Sequence, residues 1–332
     1  VNKHLFDYSD RPALLELADR YGVWVFNAFP TKSFALFADT LVNRPDLVAR
    51  YPRLARQVSG EFGDKEGEKA GLPPYRRGPA TLVSTDAEHL LVDCGSGVAA
   101  QLAQAGVRAF DLHQVLITHL HSDHVIDLGH LLITRWILGQ NAPLRVWGPA
   151  GTKQHVEKAL DLLGWDIDVR REHMEGRGGP EVTVTEIDEG EILRVGEVKA
   201  TAFLVEHAPV EPAFGFRFDS AARSVVISGD TRPSDNLIRH ARGAHVLIHE
   251  CTDATKASWV LGCGWPTREA KVAALGSYHT QPDQVGKVAA RAGVTTLVLY
   301  HLMPGSSPAE LAAAAAHDFA GTVVVGRDLL EV

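Results

Sequence analysis

Four apolar stretches of this chain, each long enough for a buried β-strand, end in a histidine or an aspartate. QVLITHLH ends at His119 and His121, VKATAFLVEH at His207, SVVISGD at Asp230 and TTLVLYH at His301. Such side chains are costly to bury unless they are paired. Since functional sites of α/β proteins usually lie where strand ends converge, the pattern predicts a fold that brings these four ends to one rim.

The order of the predicted elements indicates an α/β protein. From Pro79 onward, strand patterns and helix patterns follow one another, as expected for helices that cover both outer faces of packed sheets. Residues 1–55 are predicted to be mostly helical, and the stretch from Gly60 to Gly78 is rich in glycine, proline and charge. We therefore predict two parts, an N-terminal helical extension and linker over residues 1–72 and an α/β domain over residues 73–332.

Composition limits the class of protein. The formal net charge of −8 argues against a protein whose main role is to bind nucleic acid. The three cysteines, Cys94, Cys251 and Cys263, form neither a disulfide framework nor a CxxC zinc motif, which favours a reducing compartment. No stretch has the length and apolarity of a membrane span, and no signal-peptide pattern is visible, so we expect a cytoplasmic protein that does not bind membranes.

The densest polar cluster is HLHSDH, which contains His119, His121, Asp123 and His124. A lone histidine at a strand end is more often structural, but this motif follows a predicted strand and opens a predicted helix. Imidazole nitrogen and carboxylate oxygen suit zinc, with iron or manganese as alternatives. Together with the distant strand ends there are enough ligands for two adjacent cations, and Asp230 suits the bridging position.

At these residues the chain resembles the metallo-β-lactamase-fold hydrolases, in the branch that contains ribonuclease Z, arylsulfatase-like and phosphodiesterase enzymes. The resemblance covers about residues 76–330 and implies an αββα sandwich. It is carried by five stretches: LLVDCGSG, THLHSDH, VEHAPVEPAFGFRF, SGDTRPSDNLIRHARGAHVLIHECT and SYHTQPDQVGKVAARAGVTTLVLYHLMP.

The resemblance also implies roles for individual residues. It implies two zinc ions, with Mn²⁺ or Fe as alternatives, and a bridging hydroxide as the nucleophile. Asp123 is counted as catalytic as well as a ligand, and His279 in SYHT is implied as the proton donor to the leaving group. Asp93 and His249 are implied to orient a ligand or the acid. The implied metal ligands are His119, His121 and His207 for one ion, Asp123, His124 and His301 for the other, and Asp230 between them.

The spacing between His207 and Asp230 suggests a small substrate. These residues are 23 positions apart, whereas ribonuclease Z proper carries a long tRNA-gripping arm between them. With the negative net charge, this argues against tRNA as a partner.

The predicted function is a dinuclear zinc hydrolase of a small ester, with phosphodiester and aryl sulfate first. A lactonase or hydrolytic dehalogenase comes second, and ribonuclease Z-type tRNA 3′ processing third. A metal-binding protein that merely retains the fold is the non-enzyme alternative, although no ligand is missing.

Two further segments are expected to influence the substrate and the assembly. Trp259 and Trp265 lie in the insertion between His249 and His279, and they could line a pocket for an apolar or aromatic group. The N-terminal helices are predicted to be a packing or dimer element, and hence to support a homodimer, rather than a lid over the active site.

Overall fold

The computed structural model describes residues 77–85, 88–140, 142–173, 178–256, 267–303 and 305–332. The predicted helical extension and linker, residues 1–72, lie outside the described residues. So do Trp259 and Trp265, which were predicted to line a substrate pocket. The account below therefore concerns the predicted α/β domain.

The first sheet has five strands in the order β1–β2–β3–β4–β5. β1 is antiparallel to β2, and every other neighbouring pair is parallel. Since β2 and β3 run in the same direction, the residues that follow them emerge at the same edge. The strands are β1 Thr81–Ser84, β2 His89–Val92, β3 Gln114–Leu116, β4 Leu144–Gly148 and β5 Val182–Glu186.

The second sheet has seven strands in the order β12–β11–β10–β9–β8–β7–β6. Neighbours from β6 to β9 are antiparallel, and neighbours from β9 to β12 are parallel. Because β8 is antiparallel to both β7 and β9, the carboxyl ends of β7, β9, β10 and β11 share one edge. The strands are β6 Gly190–Val195, β7 Val198–Leu204, β8 Phe214–Asp219, β9 Ser224–Ile227, β10 Val246–Glu250, β11 Thr296–Tyr300 and β12 Thr322–Val325.

The two sheets pack face to face through an apolar core. Side chains alternate between the two faces of a strand, so one set of β2 and β3 residues points towards the second sheet. Their partners are mainly small or aromatic residues of β7 and β8. This core contains Leu90, Val92, Leu116, Val198, Ala200, Ala202, Phe214, Phe216, Phe218 and Ile227.

Helices cover the outer face of each sheet. Leu91, Val115 and Ile117 point away from the second sheet and pack on α1, α3 and α4. On the other side, Phe203 and Leu247 pack on α6, α8 and α9. The predicted αββα sandwich is therefore confirmed. The helices are α1 Val98–Gln104, α2 Ser122–Val125, α3 Leu128–Ile137, α4 Thr152–Leu162, α5 Gly164–His173, α6 Asp235–Ala241, α7 Arg268–Tyr278, α8 Pro282–Ala292 and α9 Pro308–Asp318.

Local structure differs from the sequence prediction in two respects. The helix predicted to open at the HLHSDH motif is broken into α2 and α3, because the amide of Asp127 donates to the carbonyl of Cys94 rather than within a helix. The helix α5 was not predicted, since Ile167 is its only fully buried side chain and leaves little apolar periodicity. Within the described part of the chain, no helix combines the length and apolarity needed to cross a membrane.

Replacement of Gly286 by alanine is expected to lower the free energy of unfolding by about 1–3 kcal/mol. Gly286 lies in α8, where an added Cβ would overlap the carbonyl group of Ala315 in α9. Gly276→Ala in α7 is the matched control, because its nearest neighbour is 3.9 Å away and alanine favours a helix. Urea unfolding measures both variants. Equal stability of Gly286→Ala and the wild type would contradict the close packing of α8 on α9.

Candidate functional site

The polar residues at the strand ends meet at one edge of the sandwich. Asp93 follows β2 and the HLHSDH motif follows β3, so both come from the first sheet. His207, Asp230 and His301 follow β7, β9 and β11 of the second sheet. The seven ligands implied by the resemblance fall into neighbouring groups in which the ligand atoms lie within 4.8 Å of one another.

Asp230 lies between these groups. Its carboxylate is buried, with 2% of the side chain exposed, and its Oδ2 is 3.4 Å from Nε2 of both His124 and His301. The same oxygen is 3.9 Å from Nε2 of His119 and from Nε2 of His207. One carboxylate therefore faces imidazole nitrogens on both sides, which is the position of a shared ligand.

The first group consists of three imidazoles and Asp230. Nε2 of His119 lies 2.9 Å from Nδ1 of His121, and that atom lies 3.3 Å from Nε2 of His207. These nitrogens converge on a common region together with the Asp230 carboxylate. Three imidazoles and one carboxylate oxygen form a set of donors that zinc commonly accepts.

The second group joins the end of the HLHSDH motif to the last strand end. Oδ2 of Asp123 is 3.2 Å from Nε2 of His301 and 3.7 Å from Nε2 of His124. His301 lies 178 positions after Asp123 in sequence, and the fold brings it to the two adjacent residues of the motif.

Two buried atoms of the cluster point to a cation. Nε2 of His124 and Oδ1 of Asp230 have no hydrogen-bond partner among the residues that the structure describes. A buried polar atom without a partner costs about 1–3 kcal/mol, whereas a divalent cation at about 2.0–2.2 Å would satisfy it. The residues present therefore fit a pair of divalent cations.

The far side of three ligand rings is held in place, those of His119, His124 and His207. Nδ1 of His124 lies 2.8 Å from Oδ2 of Asp93, and Nδ1 of His119 lies 3.0 Å from Oγ1 of Thr118. Nδ1 of His207 donates to the carbonyl of Tyr278 at 3.0 Å. Partners of this kind fix which nitrogen carries the proton and how the ring is turned. Asp93, which the resemblance implies to be a supporting residue, contacts a candidate ligand directly.

Two of these residues have an uncommon backbone conformation. Asp93 has φ 63° and His301 has φ 53°, both in the left-handed region. Residues other than glycine rarely adopt this region, although aspartate and histidine do so more often than most. The conformation turns each side chain sharply out of its strand end and towards the cluster.

Burial keeps the first group of imidazoles neutral. It lowers the pKa of His119 to about 2, and the positive charge of His124 adds to the effect. Burial also lowers the pKa of His121 and of His207. A neutral imidazole presents the lone pair that a metal requires, so these three side chains are ready to bind at neutral pH.

The carboxylates have the opposite effect on the second group. Burial alone would lower the pKa of His301, but the charge of Asp230 and the hydrogen bond with Asp123 raise it to about 9. Burial is likewise outweighed at His124, whose pKa is raised by Asp230 and Asp93. These two imidazoles must release a proton when a cation binds, so binding at this position becomes weaker on acidification.

His279 lies beside the cluster and is held by a separate carboxylate. Its Nδ1 is 2.7 Å from Oε1 of Glu250 and 4.0 Å from Oδ2 of Asp230. Burial would lower the pKa of His279, but the charge and hydrogen bond of Glu250 outweigh it and raise this pKa. The raised pKa favours the protonated form of His279, which is the form that a proton donor requires.

Glu250 was not predicted from the sequence, which singled out its neighbour His249. Alternation along β10 points Ile248 and Glu250 towards the other sheet, whereas Leu247 and His249 point towards the outer helices. His249 is buried, and its Nδ1 bonds to the carbonyl of Glu250 at 2.7 Å. The structure shows no contact between His249 and the candidate ligands among the described residues. The alternation of side chains along β10 was the sequence signal that could have distinguished Glu250 from His249.

Comparisons with known proteins agree with this geometry. The Beta-lactamase superfamily domain matches residues 88–302. Ribonuclease Z of Mycobacterium bovis (strain BCG / Pasteur 1173P2) is 38% identical over 266 residues, which are 78% of this chain and 92% of that protein. The short form of human tRNase Z is similar in structure, with a TM-score of 0.55 and 22% identity over 76% of this chain and 90% of that one. YhfI of Bacillus subtilis, a metallo-beta-lactamase fold protein, has a TM-score of 0.56 and 22% identity over the same shares of the two chains.

These relatives contradict the predicted substrate class. A small ester was expected, and tRNA was ranked as an unlikely partner, because His207 and Asp230 are too close in sequence for a long arm between them. Yet a protein named ribonuclease Z is matched over 92% of its length. The short spacing between His207 and Asp230 therefore does not distinguish this chain from proteins named ribonuclease Z. The net charge was also a poor guide, since it sums the whole chain and does not describe the field at one site.

Replacement of His301 by alanine is expected to reduce bound zinc from about two ions per chain to about one, because the second group loses a ligand. His279→Ala is the matched control, since His279 also lies near Asp230 and His301 but is engaged by Glu250. Elemental analysis after zinc loading and dialysis measures both. If His279→Ala also loses one ion, then His279 would be a ligand rather than a proton donor.

Proposed function

Because this chain belongs to the beta-lactamase superfamily, in the branch that contains ribonuclease Z, we propose that it hydrolyses a phosphodiester bond in a tRNA precursor during 3′ processing. Membership in this family makes the chain a metal-dependent hydrolase. The observation that carries the proposal is its identity with ribonuclease Z, which extends along almost the whole of that relative.

The proposal assigns the seven clustered side chains to two divalent cations. Zinc is favoured because imidazole nitrogens dominate the donors and carboxylates complete them. Bound cations would supply positive charge to the phosphate oxygens and lower the pKa of water. The assigned ligands are His119, His121 and His207 for one cation, Asp123, His124 and His301 for the other, and Asp230 shared between them.

The charge of the site depends on these cations. Asp93, Asp123, Asp230 and Glu250 carry four negative charges within or beside the cluster. In the metal-free site, protons on His124 and His301 offset part of this charge. Two divalent cations displace those protons and bring four positive charges, so the sum for the loaded site is 4 − 4 = 0 before the proton on His279 is counted. A phosphodiester would be repelled by the metal-free site but not by the loaded one. The acidic composition of the chain is therefore compatible with an RNA substrate.

His279 is assigned to the leaving group. Its Nδ1 is engaged by Glu250, so Nε2 is the nitrogen that would transfer a proton. The departing oxygen of a ribose is a poor leaving group unless it is protonated as the bond to phosphorus breaks. Glu250 orients the ring and keeps it protonated, which are the two requirements for that transfer. Asp230, at 4.0 Å from the same ring, places this donor beside the metal-binding groups.

The proposal predicts that zinc-loaded protein cleaves a precursor tRNA that carries a 3′ trailer. Chelation should abolish the cleavage, and added zinc should restore it. Gel electrophoresis of end-labelled RNA measures the products, with mature tRNA as the control substrate. Turnover of synthetic phosphodiesters without cleavage of the precursor would contradict tRNA as the substrate while leaving metal-dependent hydrolysis in place.

Replacement of His279 by alanine is expected to reduce turnover of poor leaving groups by about 10²–10⁴-fold. The loss should be much smaller for bis(4-nitrophenyl) phosphate, because nitrophenolate leaves without protonation. His317→Ala is the matched control, since that imidazole is 82% exposed on α9. Steady-state rates for RNA and for aryl diesters measure the effect. Equal losses on both substrate types would rule out a role of His279 in protonating the leaving oxygen.

A further inference from the structure

A buried hydroxyl contacts the carboxylate that holds the proton donor. Thr252 follows Glu250 by two residues and is 1% exposed. Its Oγ1 donates to Oε2 of Glu250 at 2.9 Å. A hydroxyl has one proton to donate, and here that proton is used on Glu250. Neither the metal-binding groups nor the proton transfer described above makes use of this contact.

The two oxygens of Glu250 have different partners. Oε1 accepts from Nδ1 of His279 at 2.7 Å and from the backbone amide of Thr231 at 2.9 Å. Oε2 accepts from the Thr252 hydroxyl. The carboxylate is fully buried, so no solvent molecule at the surface can replace a missing partner. The contact to Oε2 therefore fixes the rotation of the carboxylate plane, which decides how Oε1 faces His279.

The surrounding loops are joined by contacts that do not involve this hydroxyl. The backbone amide of Thr252 donates to the carbonyl of Thr280 at 3.0 Å. Oγ1 of Thr280 in turn donates to the carbonyl of Thr231 at 2.7 Å. The loops that carry Asp230, Glu250 and His279 thus remain connected if Thr252 loses its hydroxyl. A substitution at Thr252 can then test the orientation of Glu250 separately from the loop structure.

We infer that Thr252 is a positioning residue for the proton donor, and that its hydroxyl holds Glu250 in the orientation that aligns His279. The inference rests on the proposed phosphodiester hydrolysis, because it requires a leaving oxygen. In that step the oxygen of a hydroxide forms a bond to phosphorus, the bond between phosphorus and the leaving oxygen breaks, and the leaving oxygen takes a proton from His279. Thr252 neither gains nor loses a proton; it acts only through Glu250.

Thr252→Val in the zinc-loaded enzyme tests this inference. Valine preserves the shape of threonine and removes the hydroxyl. Loss of a hydrogen bond to a buried charged group should lower turnover of diphenyl phosphate, a poor leaving-group substrate, by about tenfold. Turnover of bis(4-nitrophenyl) phosphate should fall less than twofold, and zinc content should not change. Thr252→Ser, which keeps the hydroxyl, should restore most of the lost rate.

Two controls separate positioning from a general structural effect. Thr255→Val removes a hydroxyl from the same loop, but Thr255 is exposed, and within the described part of the chain its Oγ1 bonds only to the nearby Asp253 carboxylate. It should behave as the wild type on both substrates. In a Glu250→Gln background, Thr252→Val should cause no further loss, because residues that act through one group are not additive.

Equal losses on the two diesters, or full additivity with Glu250→Gln, would overturn the inference. If the valine variant does not fold, Thr252→Ala removes the same hydroxyl without adding bulk and gives the same comparison. These assays use synthetic diesters, so they remain informative if the precursor tRNA is not cleaved. Absence of RNA cleavage would overturn only the proposed substrate, whereas a uniform loss in Thr252→Val would overturn only the role of Thr252.

Discussion

The buried carboxylate of Asp230 is the interaction on which the site depends. It lies among imidazoles from both sheets and is almost entirely removed from solvent. A buried carboxylate requires compensating charge, and among the described residues the groups that supply it are those imidazoles and the cations they can hold. The relative position of the two sheets is therefore tied to the chemistry, because a shift of either sheet would leave Asp230 without partners. The aromatic and aliphatic core between the sheets provides the rigidity that this arrangement needs.

Much of this arrangement could be predicted from the sequence, because each metal-binding candidate lies directly after an apolar strand. The motif at residues 119–124 and the three distant strand ends are local sequence patterns. Such patterns can be recognised without a structure. Glu250 is a different case. The alternation along β10 places Glu250 and His249 on opposite faces of the strand, but which of the two faces meets the site follows from the pairing of β10 with β9 and β11. The break between α2 and α3 also depends on a contact with a distant residue, the carbonyl of Cys94.

The error about the substrate has a physical origin. The net charge and the spacing between His207 and Asp230 are properties of the chain, whereas recognition depends on the field and shape at one edge of the fold. Four carboxylates near the cluster give this edge a negative charge until cations bind. An acidic chain can therefore present a neutral or positive site to a phosphodiester. The absence of an arm at one position limits how RNA is gripped, but it does not alter the chemistry at the phosphate.

In the proposed mechanism, proton donation and metal binding rest on different side chains, and this separation has structural consequences. The candidate ligands come from loops after β3, β7, β9 and β11, whereas His279 ends α7 and is held by Glu250 from β10. The ring of His279 lies beside the ligand rings, with centroid distances of 5.0 Å to His207 and 5.8 Å to His301, but the hydrogen bond at its Nδ1 goes to Glu250, so the orientation of the donor is set from β10. The hydroxyl of Thr252 and the amide of Thr231 adjust it through Glu250 alone. A scaffold built in this way can keep its metal-binding groups constant while the groups around Glu250 are matched to the leaving oxygen that the substrate presents.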